Sequence, residues 1–376
     1  MSKKILVVAT SDIHLQVFHL PYFEMLKAKG CTIDVAVEVR GNGIVPFTDQ
    51  LHNLPFKRSL LTTQLIGAYK QLKQLIDQGD YDLIHCHTPI PSAITRLAAK
   101  DARKKGTVVM YTSHGFHFYK GGPALNWWLF YSVEKFLSSK TDVIITINEE
   151  DYQVAKQEFR AKETFYMRGI GVDTSRFQTS ISANKRELKV AMGYQANDFI
   201  LFYAANFIPR KNHIFVLKAL IELKKIIPQV KVLFAGSGKQ LDKMKHFAAE
   251  NNLFENVEFL GFRKDIDKYL AVTDISISAS KHEGLGLALA EAMFCSIPVV
   301  ATIDRGHKEL IEHNVNGFLF EQENIAQFND YIFKLFIDRE LAKSFADRSR
   351  EKIQTFSIEN SLRFMDTIYS KYISNN

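Results

Sequence analysis

Short apolar runs alternate with helical patterns along the chain, and this alternation starts twice. The first series of runs covers residues 5–9, 32–39, 82–85, 107–112 and 142–147. The second covers residues 199–204, 231–235, 257–260, 275–279 and 299–301. Buried strands that alternate with helices are typical of parallel sheets with helices on both faces. The sequence therefore predicts an α/β fold of two doubly wound, Rossmann-like domains.

A polar segment separates the two series. Residues 178–189 are rich in Ser, Thr, Asn and Lys and contain few large apolar side chains. We expect an N-terminal domain at 1–178, a C-terminal domain at 179–357, and a last helix at 358–376 that packs back on the N-terminal domain. The two domains would face each other across a central cleft, because ligands of such sheets bind at the carboxyl ends of the strands.

Composition excludes several classes of protein. The formal net charge of +7 suits an anionic membrane surface or a phosphate-bearing substrate. No dense Lys and Arg stripe with interleaved aromatic residues accompanies it, so nucleic acid is not an expected partner. Cys31, Cys86 and Cys295 lie far apart, which favours a reducing cytosol over a disulfide scaffold. The N-terminus lacks a signal-peptide pattern, and no run approaches the ~18 apolar residues of a membrane span, so a cytoplasmic location is expected.

The loops after the first strand of each series contain no glycine. These loops are residues 10–14 and 206–211. A dinucleotide-binding turn needs G-x-G-x-x-G there, so that the backbone can approach the pyrophosphate. A Walker A pattern is also absent from the sequence. NAD- or FAD-dependent chemistry is therefore disfavoured, and no cofactor is expected.

The most informative segment is residues 280–293, which follows a predicted strand and opens a helix. Gly284 and Gly286 let the main chain approach a ligand, and the free N–H groups of a first helical turn suit a diphosphate. On one continuous helix, Glu283 and Glu291 would lie ~12 Å apart along its axis. That separation is too wide for the carboxylate pair of a glycosidase. We expect the two glutamates to bind different parts of one ligand.

Two adjacent cations, Arg210 and Lys211, follow the first strand of the second series. At a strand's carboxyl end they are placed to hold a diphosphate and to stabilise the charge that develops on it as a bond breaks. Gly236 and Gly238 follow the next strand, and Arg263 follows the one after it. Each of these three is a weak signal alone, because any tight turn can use it.

Histidines lie at the ends of two predicted strands of the first domain. His85 and His87 end one strand, and His114 and His117 follow the next, which places His114 at the cleft. No H-E-x-x-H or thiol pattern accompanies them. We therefore expect no metal site, and structural roles for His85 and His117. The D-x-D sequences at 80–82 and 265–267 are misplaced relative to their strands for metal–diphosphate binding.

Together with Gly-Ile-Gly-Val-Asp-Thr-Ser-Arg-Phe at 169–177, these motifs resemble the retaining glycosyltransferases of family 4, which have the GT-B fold. The resemblance spans nearly the whole chain. Residues 114–121 resemble the branch that builds bacterial capsule, exopolysaccharide and O-antigen repeats. This implies an EC 2.4 enzyme that moves a hexosyl or N-acetylhexosaminyl group from a nucleotide-diphosphate donor, expected to be a UDP-sugar, to a polyprenyl-diphosphate-linked saccharide.

The resemblance also implies roles for individual residues. The residues that it assigns to catalysis are His114, Lys211 and Glu283. The residues that it assigns to donor binding are Arg210, Lys211, Gly236, Gly238, Arg263, Glu283, Gly284, Leu285, Gly286 and Glu291. In such enzymes the leaving diphosphate is thought to accept the acceptor's proton, so neither a protein nucleophile nor a metal is expected.

Within this set, the resemblance places Glu283 and His114 at the donor sugar, Glu291 at the ribose and Arg263 at the base. Arg210, Lys211 and the amides of the glycine turn would hold the diphosphate.

The sequence departs from the family pattern in two segments. Residues 11–13 stand where many relatives have a Gly-Gly pair, and Ala205 and Asn206 stand where many have an arginine, which leaves more of the diphosphate to Arg210. Three alternatives stay open: a UDP-sugar epimerase of the same fold, a transferase with a soluble acceptor, and an inactive sugar-nucleotide-binding protein. The E-x7-E string and the Arg210–Lys211 pair argue against an epimerase.

The predicted helix at 124–140 suggests where such an enzyme works. Its adjacent residues Trp127 and Trp128 are ~100° apart around a helix, so both cannot point into one narrow core stripe. At least one indole is expected at the surface, where it suits a membrane interface. A second amphipathic candidate spans residues 60–77, near Lys57, Arg58, Lys70 and Lys73. We expect peripheral binding to the anionic inner face of the plasma membrane.

Overall fold

The computed structural model describes residues 2–56, 63–173, 177 and 184–373. The chain divides into two compact units. The first comprises Met1–Gly171 and Glu359–Asn376, and the second comprises Val172–Ile358. The sequence analysis expected the first boundary at residue 178. Residues 178–183 of the expected linker, and residues 174–176 of the motif before it, lie outside the described residues.

A parallel sheet forms the centre of the first unit and has seven strands among the residues that the structure describes. Its strands are β1 (Lys4–Ser11), β2 (Thr32–Glu38), β3 (Gln50–Asn53), β4 (Leu83–His87), β5 (Val108–Ser113), β6 (Val143–Thr146) and β7 (Glu163–Tyr166). Their spatial order is β3-β2-β1-β4-β5-β6-β7. The chain therefore switches direction across the sheet between β1 and β4, where loops diverge and leave room for a ligand.

Helices surround this sheet because β1, β4 and β5 are buried on both faces. The helices before the second unit are α1 (Asp12–Phe18), α2 (Leu20–Ala28), α3 (Thr63–Gly79), α4 (Pro89–Ala98), α5 (Lys100–Lys104), α6 (Ala124–Asn126), α7 (Ser132–Ser138) and α8 (Glu149–Glu158). A π-helical turn, Trp127–Tyr131, joins α6 to α7. The second amphipathic helix of the sequence analysis is α3, although residues 57–62 before it lie outside the described residues.

The second unit repeats the plan with six parallel strands, counted over its described part. These are β8 (Phe199–Ala204), β9 (Val230–Ala235), β10 (Val257–Gly261), β11 (Ile275–Ser278), β12 (Val299–Thr302) and β13 (Phe318–Phe320). The order is β10-β9-β8-β11-β12-β13, so the switch point lies between β8 and β11. Both switch points thus lie beside the first strand of a unit.

The helices of the second unit pack on a core rich in phenylalanine. They are α9 (Lys185–Ala191), α10 (His213–Ile226), α11 (Leu241–Glu250), α12 (Ile266–Val272), α13 (Leu287–Phe294), α14 (Arg305–Leu310), α15 (Ile325–Ile337) and α16 (Arg339–Ile353). Phe215 of α10 stacks on Phe320 of β13 with ring centroids 5.3 Å apart. Such contacts fix α10 and the loop before it on the sheet.

The last helix, α17 (Ile358–Ile373), contacts the first unit. The Tyr369 hydroxyl lies 2.7 Å from Nδ1 of His85, and Lys29 pairs with Asp366 at 2.6 Å. Its residues from Glu359 onward therefore belong to the same compact unit as the start of the chain.

All the runs that the sequence analysis interpreted as strands are strands, and the predicted α/β class is confirmed. Three strands were not predicted from the sequence, namely β3, β7 and β13, which have only three or four residues each. All three lie at sheet edges. A strand this short shows too little periodicity to be distinguished from a loop.

Candidate functional site

The switch point of the second unit brings three predicted site residues together. Arg210 and Lys211 follow β8, and Glu283 follows β11, the neighbour of β8 in the sheet. Because carboxyl ends of adjacent parallel strands meet at one edge, the two loops come into contact although 72 positions separate Lys211 from Glu283. We call Arg210, Lys211 and Glu283 the switch-point triad.

The local backbone holds the two cations of the triad in place. Residues Pro209–Lys211 form a short 3₁₀ helix that ends at Asn212, whose φ of 51° is left-handed. The Tyr203 hydroxyl donates a hydrogen bond to the carbonyl of Lys211 at 2.5 Å. The amide of Lys281 donates to the carbonyl of Arg210 at 2.8 Å. Hydrogen bonds from β8 and from the loop after β11 thus fix the main chain that carries the cations.

Glu283 pairs with both cations through its two carboxylate oxygens, so the triad keeps one net positive charge. Nη1 of Arg210 donates to Oε2 of Glu283 at 2.9 Å, and Nζ of Lys211 forms an ion pair with Oε1. Glu283 is only 8% exposed. Burial alone would raise the pKa of this carboxyl, but the charges of Lys211 and Arg210 outweigh it and lower the pKa to about 2. Glu283 is therefore ionised at any physiological pH.

The loop after β12 supports Glu283 from the other side, and the sequence analysis missed it. Oδ2 of Asp304 accepts a hydrogen bond from the Glu283 amide at 2.9 Å. A Cβ at Gly306 would lie 2.9 Å from Cβ of Glu283, so glycine is needed for the close approach. The signal was the polar sequence Asp-Arg-Gly-His at 304–307, one residue after β12, since polar residues after a strand also marked the other site loops.

The predicted glycines act mainly through close backbone contacts. Gly236 has a φ of 155°, and a Cβ there would lie 2.0 Å from the carbonyl oxygen of Ala205. Gly238 has a φ of 149°, and a Cβ there would lie 2.5 Å from the carbonyl oxygen of Phe207. The loop after β9 therefore packs directly on the loop that leads to the triad, which explains why two glycines occur there.

The remaining second-unit candidates lie in two places, along α13 with the turn before it and in the loop after β10. Gly286 is the N-cap of α13, with a φ of 99°, and Gly284 and Leu285 precede it. Glu291 lies on α13 and is half-buried. Arg263 lies in the loop after β10, where its guanidinium pairs with Asp265 at 2.7 Å. Arg263 therefore already has an acidic partner.

In the first unit, histidines collect at the switch point between β1 and β4. His14 and His19 follow β1, His87 ends β4, and His114 follows β5. Nδ1 of His87 lies 3.3 Å from Nε2 of His114, and the two Nε2 atoms of His14 and His19 are 3.4 Å apart. Burial lowers the pKa of His114 to about 3 and that of His14 to about 4, so these rings are neutral at pH 7. The sequence analysis identified His114 but not His14 or His19.

His85 and His117 occupy other positions. Both ring nitrogens of His85 are within hydrogen-bond distance of a hydroxyl, at 2.7 Å from Tyr369 and 2.8 Å from Thr112. His117 is exposed, and its ring is tilted by 36° relative to that of Phe130, with centroids 5.0 Å apart. Buried and partnered in this way, His85 has the structural role expected for it.

The departure from the Gly-Gly pattern at residues 11–13 has a structural consequence. Asp12 is fully buried, and its carboxylate accepts hydrogen bonds from the amides of Arg40, Gly41 and Gly43 at 2.8–3.0 Å. Burial by itself would raise the pKa of Asp12. The hydrogen bonds from these amides have the larger combined effect, so the pKa lies below its ordinary value. In this chain the amides of the loop after β2 therefore donate their hydrogen bonds to the carboxylate of Asp12.

An apolar pocket of about 540 Å³ lies within the first unit. Its volume is typical of small-molecule sites. Glu134 lies at its wall and pairs with the fully buried Arg96 at 2.8 Å. The lining residues are Thr10, Phe56, Thr88, Pro89, Ile90, Pro91, Ala93, Tyr111, Gly115, Phe116, His117, Leu129, Phe130, Val133 and Glu134. We call it the apolar pocket.

The comparisons with known proteins identify the family. The model for glycosyl transferases group 1 matches residues 184–352, and that for glycosyl transferase 4-like proteins matches residues 4–148. The chain is 40% identical to the putative glycosyltransferase EpsD of Bacillus subtilis over 374 residues, which covers 99% of this chain and 98% of that one. The chain belongs to the family 4 glycosyltransferases. It is thus a glycosyltransferase, as the motifs predicted.

Two further comparisons concern the sequence and the fold of this glycosyltransferase. It is 28% identical to the UDP-Gal:alpha-D-GlcNAc-diphosphoundecaprenol alpha-1,3-galactosyltransferase of Escherichia coli over 74% of this chain and 71% of that one. The structure of Anabaena Alr3699/HepE in complex with UDP superposes with a TM-score of 0.78 at 22% identity, over 98% of this chain and 100% of that one. The glycosyltransferase therefore has the GT-B fold that the motifs predicted.

One finding bears on the membrane. Among its described helices, this glycosyltransferase has none that is both long and apolar enough to span a bilayer.

Proposed function

We propose that this glycosyltransferase moves a hexosyl or N-acetylhexosaminyl group from a UDP-sugar to a polyprenyl-diphosphate-linked saccharide, with retention at the anomeric carbon. The observation that carries the proposal is the switch-point triad, in which two cations and one carboxylate meet at the ligand-binding edge of the second unit. The UDP held by Alr3699/HepE and the lipid-linked acceptor in the name of the Escherichia coli relative support the choice of substrates.

Donor binding would exchange partners within the triad. In the free protein Glu283 pairs with both Arg210 and Lys211 and offsets one of their two positive charges. A diphosphate competes for the same two cations because it offers several charged oxygens to their donors. The displaced carboxylate is then available to accept hydrogen bonds from hydroxyls of the donor sugar. In this scheme the arrival of the diphosphate also frees the residue that orients the sugar.

The transfer itself would use the leaving group as its base. The bond between the anomeric carbon and the β-phosphate oxygen breaks, and its electron pair stays on the phosphate. Arg210 and Lys211 stabilise that developing charge. The acceptor hydroxyl attacks the same face of the sugar and gives its proton to the released phosphate oxygen. UDP and the extended saccharide result, and no step uses a metal ion or a protein nucleophile.

Other residues would complete the donor site. We assign the ribose to Glu291, the base to Arg263, and part of the sugar pocket to His114. The amides of residues 284–286 would assist the cations at the diphosphate, because they precede the positive end of α13. The glycine turn at 236–238 shapes the loop beside them.

The apolar pocket supports a lipid-bearing acceptor. Phe56, Pro89, Ile90, Phe130 and Val133 supply much of its lining. A hydrocarbon chain would gain free energy there, at roughly 25 cal/mol per Å² of apolar surface removed from water. The hydroxyls of a soluble sugar acceptor would gain no such free energy from contact with these apolar side chains.

The surface beside this pocket supports membrane association. Trp128 is 73% exposed, whereas Trp127 packs inward and donates a hydrogen bond to the Tyr119 carbonyl at 3.0 Å. Leu125 and Phe136 on the same helical segment are also exposed. We propose that this apolar edge touches the inner face of the plasma membrane, where the protein would act as a peripheral enzyme in surface-polysaccharide synthesis.

A donor and acceptor screen tests the proposal. Purified protein is incubated with a panel of UDP- and GDP-sugars, together with GlcNAc-diphosphoundecaprenol or with GlcNAc alone. We expect transfer from one UDP-sugar to the lipid-linked acceptor, and NMR of the product should show the donor's anomeric configuration retained. EDTA should not lower the rate.

Matched variants separate the site from general stability. Glu283→Gln should abolish transfer, while Glu222→Gln, on the exposed face of α10, should not. Transfer from GDP-sugars only, or inversion in the product, would overturn the donor or the stereochemical proposal. Equal transfer to free GlcNAc would point to a soluble acceptor, and interconversion of UDP-sugars without transfer would point to an epimerase.

A further inference from the structure

Three histidines of the first unit form a cluster that the proposed transfer does not need as a group. His14 lies on α1, His19 lies between α1 and α2, and His114 follows β5. One ring nitrogen from each lies within 4.8 Å of one from each of the others. The cluster exists because β1 lies beside β4, and β4 beside β5, so the loops after β1 and β5 converge above their carboxyl ends.

We propose that His14, His19 and His114 form a binding site for a divalent transition-metal ion of the Zn²⁺ type. Zinc binds imidazole nitrogens at about 2.0–2.1 Å, so two ligands of a tetrahedral site are roughly 3.4 Å apart. The Nε2 atoms of His14 and His19 are separated by 3.4 Å. The other nitrogens are at most 4.8 Å apart, so they need to approach by no more than about 1.4 Å.

The chemistry of the ligands favours this class of ion. Imidazole suits zinc, copper and nickel, whereas magnesium and calcium prefer oxygen ligands. Three histidines leave the fourth tetrahedral position open to water or another small ligand. His14 and His114 are only partly buried, so an ion has access to the cluster from solvent.

The surroundings restrict the rings and provide space. Nδ1 of His87 lies 3.3 Å from Nε2 of His114 and limits rotation of that ring. His19 packs against His87 with ring centroids 4.2 Å apart. A cavity of about 20 Å³ borders His19 and His114, which is enough for one water-sized particle.

The site has a consequence for catalysis. His114 is also the residue that we assigned to the donor sugar, so an ion held by His114 would lower turnover rather than support it. This consequence rests on the proposed function, whereas metal binding itself does not.

Calorimetry on the full chain, prepared without a polyhistidine tag and stripped of metal, tests the site. Titration with Zn²⁺ at neutral pH should give one ion per chain. His14→Gln and His19→Gln should each weaken binding at least ~10-fold. His246→Gln should leave it unchanged, because His246 is an exposed residue of α11 in the second unit.

Visible absorption of bound Co²⁺ provides a second test, which remains informative if substitution of a buried histidine disturbs the fold. Co²⁺ bound by three histidines in a tetrahedral site gives visible absorption. His14 is only half-buried, so His14→Gln should fold and should lose this absorption even if His19→Gln unfolds. The proposal is overturned if the wild-type chain binds no stoichiometric Zn²⁺, or if His14→Gln keeps both the affinity and the Co²⁺ spectrum.

Discussion

Nη1 of Arg210 lies 2.9 Å from Oε2 of Glu283, so a cation after β8 is neutralised by a carboxylate after β11. Lys211 engages the other oxygen of the same carboxylate. These pairs mean that a diphosphate does not meet two free cations. It meets cations that a buried glutamate already occupies, and this competition determines how the site responds to substitution.

Removing Lys211 should slow transfer more than it weakens donor binding. Lys211→Ala leaves Arg210 to hold the phosphate but removes a charge that stabilises the leaving group. We expect kcat at saturating donor to fall ~100-fold. Lys218→Ala, on the exposed face of α10, is the matched control and should retain the wild-type rate. A tenfold rise in KM with unchanged kcat would contradict this role.

Removing the charge of Glu283 should tighten product binding while it lowers turnover. Glu283→Gln no longer competes with a diphosphate for Arg210 and Lys211, so the affinity for UDP should rise by on the order of 3- to 10-fold. Calorimetric titration with UDP measures this directly. Weaker UDP binding in this variant would mean that Glu283 helps to hold the nucleotide rather than to exclude it.

Glu291 should respond differently from Glu283. A ribose contact is the same in the ground state and the transition state, so Glu291→Ala should raise the donor KM and leave kcat nearly unchanged. Steady-state kinetics on both variants separate the two roles. Equal effects of Glu283→Ala and Glu291→Ala on both constants would refute the assignment.

The acid stability of the second unit should depend on Glu283. Its pKa in the folded protein is about 2, below the ordinary value of 4.5. The unfolded chain therefore binds this proton more readily, so the stabilisation is complete above about pH 4.5 and is lost as the pH falls towards about 2. Thermal unfolding of Glu283→Gln should lose less stability than wild type between about pH 6 and about pH 3. Parallel loss in both proteins would contradict the pKa.

The backbone at Gly236 lies so close to the Ala205 carbonyl that no side chain should be tolerated at position 236. Gly236→Ala places a Cβ 2.0 Å from the Ala205 carbonyl and should destabilise the fold by more than ~2 kcal/mol. Gly67→Ala is the control, because Gly67 lies in α3 with nothing within 4 Å of its Cβ position. That change should stabilise the helix by ~1 kcal/mol. Chemical denaturation of both variants measures the difference.

Membrane binding should depend on one tryptophan. Trp128→Ser should weaken association with phosphatidylglycerol vesicles at low salt by roughly 10-fold, because that indole is 73% exposed and available to the interface. Phe254→Ser removes an exposed aromatic residue of the second unit and should have no effect. Wild-type protein that stays in the supernatant with these vesicles would contradict membrane association.

The sequence alone determined the α/β class, the two βαβ series and the strand ends where the site lies. These features are local. A strand that is buried on both faces appears in the sequence as a continuous apolar run, and the polar loop residues after it lie at the ligand-binding edge of the sheet. Arg210, Lys211, Glu283 and His114 were identifiable in this way.

Which of those strand ends are neighbours depends on the order of the strands in each folded sheet. The order of β8 and β11 pairs Glu283 with Lys211, and the order of β1, β4 and β5 gathers His14, His19 and His114. Strand order results from how helices cross over the sheet and pack on both of its faces, which is a long-range property that no local pattern contains. The ionisation of Glu283 and the metal-binding cluster follow from that order.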